Sequence, residues 1–187
     1  MTSTHVRLEA RLGFASDQDR QRAKSWLSPS RCQLADGAMR LVSSAFPDGA
    51  AIPQRFTCDG ENLSPPLRWS DAPEGTRSFV LLCDDPDAPV GTWRHWAVYD
   101  IPPNVTELAE NAARDTKMKQ AVNDFRKTGY GGPCPPRGHG PHHYHFRLLA
   151  LSADHTRAPP NASCRDIERE ARKFALAEAT LVGWYER

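Results

Sequence analysis

The sequence predicts an all-β domain, a sandwich of antiparallel sheets with one or two short helices. Three observations support this. The 187 residues include 16 prolines, a density that disfavours long helices and suits short strands joined by rigid turns. Several short apolar or alternating runs lie between turn residues. Only one segment carries strong helical periodicity. The length suits a single hydrophobic core.

The elements follow in chain order. Residues 1–38 are polar, with few apolar anchors between Ser16 and Arg31, so they are expected to be a disordered extension that buries too little surface to offset its ordering entropy. The domain is placed at residues 39–187. Met39-Arg-Leu-Val-Ser43 begins the first strand. Ser78-Phe-Val-Leu-Leu-Cys83 is continuously apolar, as in a strand covered on both faces. His95 to Ile101 is another strand, stopped by Pro102-Pro103. A weaker helix is expected over residues 105–114. In Tyr144 to Leu151 a period of two places Tyr144, Phe146, Leu148 and Ala150 on one face. Residues 166–176 form the strong helix, with Ile167, Ala171 and Phe174 on one side and Ser163 as N-cap three residues before Asp166. Leu181-Val-Gly-Trp-Tyr185 is the last strand.

Charge and termini exclude several classes. Lysine plus arginine is 24 against 23 acidic residues, a formal charge of +1. The extension holds six cations (Arg7, Arg11, Arg20, Arg22, Lys24, Arg31) and four anions (Glu9, Asp17, Asp19, Asp36), which leaves the domain at −1. Neither value suits a nucleic-acid binder. Trp69, Trp93, Trp96 and Trp184 lack the interleaved basic residues of a stacking platform and are assigned to core and pocket rims. No stretch approaches the ~20 apolar residues of a membrane helix, and no signal-peptide core precedes Gly13, so a cytoplasmic, non-spanning protein is expected. The five cysteines, Cys32, Cys58, Cys83, Cys134 and Cys164, are odd in number and contain no CxxC pair. They are expected to be reduced.

Three clusters carry polar chemistry. Cys83-Asp-Asp-Pro-Asp-Ala-Pro-Val90 follows a buried strand, and Gly91-Thr-Trp-Arg-His-Trp96 precedes the next. Gly129-Tyr-Gly-Gly-Pro-Cys-Pro-Pro-Arg-Gly-His-Gly-Pro-His-His-Tyr-His145 is a rigid loop running into a strand. Pro86 and Pro89 stiffen the carboxylates of Asp85 and Asp87. Parity puts His142 on the inward face with Tyr144, and His143 and His145 on the other. It puts His95 on one face with Ala97 and Tyr99. Gly131 and Gly132 are candidate sources of backbone N–H donors, and Pro135-Pro136 a rigid shelf. Histidines, a tyrosine hydroxyl and backbone donors suit a small anion, with Asp85 orienting and charging the imidazoles.

These motifs, in this order, resemble the phosphatidylethanolamine-binding protein family, in particular its bacterial and archaeal branch described as Raf-kinase-inhibitor-like. The stretch from Phe46-Pro-Asp-Gly49 to Leu67-Arg-Trp69 resembles the family's opening, and Leu176 to Tyr185 its close. The resemblance spans residues 39–187. It implies a Greek-key-like sandwich of two antiparallel sheets and one small anion pocket, formed here by Asp85, Asp87, His95, Gly132, Pro136, His142 and Tyr144. It implies a phosphate-like ligand or phospholipid head group, no cofactor, and a kinase-inhibiting or signalling role with a protein kinase or other protein as partner. It also suggests a homodimer. His143, Asn111 and Arg126 depart from the family pattern; at the latter two positions it usually has glycine. The chain stops at Arg187, without the gating helix of eukaryotic relatives, so a more open mouth, or one closed by another subunit, is expected.

Two rival functions remain from the residues alone. His139, His142, His143 and His145, with Cys134, Asp85 and His95, contain ligand types for zinc, nickel or copper, although parity separates His142 from His143 and His145. Asp85, His95 and His142 also suit acid–base hydrolysis, but no GxSxG nucleophile is present, and a non-enzymatic role is expected.

Overall fold

A computed structural model describes residues 37–159 and 161–187. The expected extension falls, up to residue 36, outside the described residues. The strands are β1 (Arg40–Val42), β2 (Ala50–Ala51), β3 (Leu67–Ser70), β4 (Ser78–Asp85), β5 (Trp93–Ile101), β6 (Glu107–Leu108), β7 (Lys119–Gln120), β8 (His142–Leu151) and β9 (Ala175–Tyr185); the helix α1 (Cys164–Arg172) precedes β9. A three-stranded sheet has the order β1-β3-β6, and a six-stranded sheet the order β2-β9-β8-β4-β5-β7. All pairings are antiparallel except β2 with β9, where Ala50 faces Gly183.

The large sheet is buried on both sides, so its central strand has no polar alternation. All eight residues of β4 are buried. Phe79, Leu81 and Cys83 join Phe146, Leu148, Trp96 and Val98 in a core closed by Leu41, Leu67, Trp69 and Leu108 of the small sheet. Val80 and Leu82 face the other way, with Ala97, Leu149 and Leu151, under Ile167 and Ala171 of α1. Burying a Leu or Phe side chain is worth about 1.5–3 kcal/mol, so the apolar run at 78–83 anchors both layers.

α1 starts where its cap dictates. The Ser163 hydroxyl accepts from the Asp166 amide, and the Asp166 carboxylate accepts in return from the Ser163 amide, a complete capping box. The helix ends at Arg172, short of the expected Leu176. Residues 175–185 continue instead as β9, paired with β8 from Leu151↔Ala175 to His142↔Tyr185. That long ladder outweighs the helical propensity of 173–176. The expected helix over 105–114 is also absent. Glu107–Leu108 pairs with β3, and Asn111 takes φ 64° before a single 3-10 turn at Ala112–Arg114. A left-handed residue cannot continue an α-helix. Among the described residues, no helix is long and apolar enough to cross a membrane.

Candidate functional site

The three polar motifs meet at one end of the large sheet. Asp84 faces His145 across the β4–β8 ladder, so Asp85 stands level with Tyr144, and His142 lies two residues along on the same face. On the other side of β4, Cys83 faces Trp96 and Asp84 faces Arg94, with a register shift between them. His95 is therefore the extra residue of a β-bulge. Bulges re-aim side chains, and this one moves His95 off the Ala97 face, where parity placed it, toward Tyr144. The His95 and Tyr144 rings meet edge to face at 5.2 Å.

Asp85, His95, Pro136, His142 and Tyr144 line a cavity of about 230 Å³, with Ala88, Pro89, Val90, Trp93, Phe125, Cys134 and Pro135 completing its walls. A larger cleft of about 560 Å³ lies between Val98–Pro102 and Ala109–Lys119, and contains none of the motif residues. Asp87 and Gly132, expected in the pocket, are not among the residues that line this cavity. The Asp87 carboxylate accepts from the His143 amide at 2.9 Å and the His143 ring at 2.8 Å, which ties the Pro86–Pro89 turn to β8. The imidazole hydrogen bond holds the Asp87 carboxyl below its ordinary range. A Cβ on Gly132 would overlap the Phe56 carbonyl oxygen and the Asn62 side chain, so close approach of two backbones requires glycine there. The Gly132 amide donates to Asn62 Oδ1 at 2.8 Å, and the Gly131 amide to the His95 carbonyl at 3.0 Å. Neither is a free donor, contrary to the expectation for the glycine pair.

The polar floor is partly satisfied. His142 Nδ1 lies 2.8 Å from Asp85 Oδ2, both side chains almost wholly buried. A carboxylate only accepts, so Nδ1 carries the proton and Nε2 faces outward, toward His139 Nδ1 at 3.2 Å. Asp85 Oδ1 accepts from the Asp87 amide at 2.9 Å, so both oxygens are engaged. His95 Nδ1 donates to the Gly131 carbonyl at 2.6 Å. Burial pushes the His95 pKa below the ordinary imidazole value, which favours the neutral ring, with Nε2 as an acceptor. His95 therefore donates to an anion only after taking up a proton, a correction to its expected role. The Tyr144 hydroxyl is buried and lacks a hydrogen-bond partner among the described residues, as does the Trp93 indole N–H. Burial and the Asp85 carboxylate raise the Tyr144 pKa well above its usual value, so the phenol keeps its proton.

The cysteines correct a second expectation. Cys58 and Cys134 form a disulfide across 76 residues, with Cα atoms 5.4 Å apart. No local spacing signals that pairing, because the two loops meet only in the folded chain. Cys83 and Cys164 are free and buried. Among the described residues, no three His, Cys, Asp or Glu side chains gather as a metal site. Trp93 and Phe125, packed edge to face at 5.5 Å, are the wall residues that strand parity does not reveal. The position of Trp93 beside His95 in the GTWRHW motif is the available signal.

A two-layer sandwich with a helix on its outer face and a small polar cavity at one strand end defines the class of protein. The phosphatidylethanolamine-binding protein family model matches residues 42–186, and the chain belongs to that family. Among its relatives, a UPF0098 protein of Aquifex aeolicus is 50% identical over 157 residues, covering 82% of this chain and 92% of that protein. A UPF0098 protein of Methanothermobacter thermautotrophicus is 44% identical over 153 residues, covering 80% and 99%. The crystal structure of Escherichia coli YbcL, described as a member of the mammalian PEBP family, superposes with a TM-score of 0.76 at 35% identity, covering 80% of this chain and 98% of that one. These relatives place the chain in the family's bacterial and archaeal branch.

Proposed function

We propose that residues 39–187 act as a binding protein whose 230 Å³ cavity takes a phosphate group, free or as a phosphoethanolamine-type head group. The observation that carries this is the Tyr144 hydroxyl, buried and unpartnered at the cavity. A buried donor left unmade costs about 1–3 kcal/mol, and a ligand oxygen accepting from it recovers that cost. The Trp93 indole N–H supplies a second unused donor, and the Asp85-held His142 presents Nε2, which donates to the ligand only when the ring carries a second proton. Neutral His95 accepts a proton from a hydrogen phosphate or from the ammonium of phosphoethanolamine. The disulfide takes up the Cys134 thiol, which removes the cysteine nucleophile from the cavity wall and favours binding over hydrolysis. For the compartment, the disulfide favours oxidising surroundings over the expected cytoplasmic location.

Isothermal titration with inorganic phosphate and with phosphoethanolamine, near pH 5.5 and near pH 8.5, tests this. Phosphate affinity rises at the lower pH, where a bound anion more readily draws a proton onto His95, and phosphoethanolamine retains more of its affinity at the higher pH. The absence of heat from both ligands at both pH values would overturn it.

A further inference from the structure

The Cys58–Cys134 bond joins a surface turn to the cavity wall. Cys58 is exposed, whereas Cys134 is half-buried and lines the cavity beside Pro135 and Pro136. Arg187 lies against this bond. Its Nη1 is 3.3 Å from Cys134 Sγ, and its Nε is 3.0 Å from Asp59 Oδ2. Tyr185 donates to the same carboxylate at 2.9 Å, and Gly138 donates to the Arg187 carbonyl at 3.0 Å. The guanidinium thus lies between the Asp59 carboxylate and the half-buried sulfur of the pair. The two cysteines are therefore inequivalent, one an exposed residue and the other half-buried beside a cation.

We propose that Cys58–Cys134 is a thiol-exchange site, at which a low-molecular-weight thiol such as glutathione attacks Cys58 and expels Cys134 as a thiolate facing Arg187. The attacking thiolate forms a bond to Cys58 Sγ as the Cys58–Cys134 bond breaks, and the electron pair stays on Cys134 Sγ. A second thiolate then attacks the external sulfur of the mixed disulfide. It leaves Cys58 as a thiolate and releases the oxidised thiol, so two external thiols lose two electrons to the protein pair. Exchange is faster when the leaving thiolate is stabilised, and an adjacent arginine stabilises it. The other two described cysteines do not compete. Both are buried, and burial raises the Cys83 thiol far above its ordinary pKa and the Cys164 thiol to about 12.

Opening the bond removes the covalent tie between the 57–59 turn and the 133–136 wall; the Cys58 amide to Pro133 carbonyl bond, 3.0 Å, is left. This second half of the proposal rests on the phosphate reading of the cavity. The loosened wall must then be ordered by the ligand, which weakens binding.

The test uses the full chain. Brief exposure to glutathione followed by acid quench and peptide mass spectrometry places the mixed disulfide on Cys58. Reduction by dithiothreitol slows about tenfold in Arg187→Ala, and Arg187→Lys restores most of the rate, as expected for a leaving-group effect. An adduct confined to Cys134, or an unchanged or faster rate in Arg187→Ala, overturns the exchange site. Phosphate titration of the oxidised chain and of a Cys58→Ser, Cys134→Ser double variant shows a loss of about threefold to tenfold without the bond. Equal affinities overturn the coupling. If phosphate binds neither form, the cavity reading fails while the adduct and rate measurements still decide the exchange site.

Discussion

Asp84 and Asp85 are neighbours at the end of β4, and the two faces of the sheet treat them in opposite ways. Asp84 faces α1. Arg147 grips it through Nε at 3.0 Å and through Nη2, and donates at 2.8 Å to Glu168, which also meets Arg94 at 3.4 Å. Burial alone would raise both carboxyls. The Asp84 carboxyl stays raised despite Arg147, whereas Arg147, Arg94 and Arg172 together hold Glu168 below its ordinary range. Asp85 faces the cavity, bonded to His142 and the Asp87 amide, with an unpartnered Tyr144 hydroxyl and an acceptor nitrogen of His95 nearby. One carboxylate belongs to a charge network closed apart from the unpartnered Arg94 Nε, the other to a set of polar groups with bonds still to make. Burial is similar at both, 3% exposure for each residue, so burial does not distinguish structure from site. The partners do: a fixed guanidinium holds Asp84, whereas Asp85 lies in the cavity with the unpartnered Tyr144 hydroxyl and Trp93 indole N–H.

The largest expected effect tests the closed side. Arg147→Met strands Asp84 and Glu168 without their shared cation and costs about 3–5 kcal/mol in denaturant unfolding, while phosphate affinity of the folded protein is unchanged. A loss below about 1 kcal/mol would show that the network is not closed in the sense described. Tyr144→Phe tests the open side. It removes a hydroxyl that donates to no described residue, so stability changes little, whereas phosphate affinity falls about tenfold or more, the worth of a hydrogen bond to a charged ligand. Loss of stability without loss of affinity would reverse the contrast.

Acid separates the faces further. The folded pKa of His95 lies below its ordinary value of 6.5, so above that pH the ring is neutral in both states and contributes no pH dependence. As pH falls from the ordinary value toward the folded one, the unfolded chain takes up the proton first and stability drops, by up to about 1.4 kcal/mol per pH unit. His95→Asn flattens this part of the stability curve, measured by thermal unfolding from neutral to mildly acidic pH; an unaltered slope would place the acid sensitivity elsewhere. The smallest effect concerns the cavity's Phe125 hairpin. Arg126 takes φ 62°, and Arg126→Gly relieves that left-handed strain for a gain of about 1 kcal/mol, without changing phosphate affinity.

Much of this was legible because it is local. The alternation from His142 to Leu148 places His142, Tyr144 and Phe146 inward, as the burial pattern of β8 shows. The Ser163–Asp166 spacing marks the start of α1. The glycine-like character of positions 111 and 126, inferred from the family resemblance, coincides with positive φ at Asn111 and Arg126. Strands of two residues, such as β2, β6 and β7, carry too little pattern to read, and the end of α1 is set by a ladder to β8 rather than by its own residues.

By itself the sequence determined which motifs carry polar chemistry, which face of β8 is buried, where the helix begins and which family the chain resembles, because periodicity, capping and motif order are written in neighbouring residues. Only the tertiary structure decided that a bulge turns His95 toward Tyr144, that the Gly131 and Gly132 amides are already engaged, that Tyr144 is left without a partner, and that Cys58 meets Cys134. Each of those outcomes depends on which distant atoms arrive at hydrogen-bonding or bonding distance. A pairing across 76 residues leaves no periodic trace along the chain, since it is fixed by contacts between two distant loops.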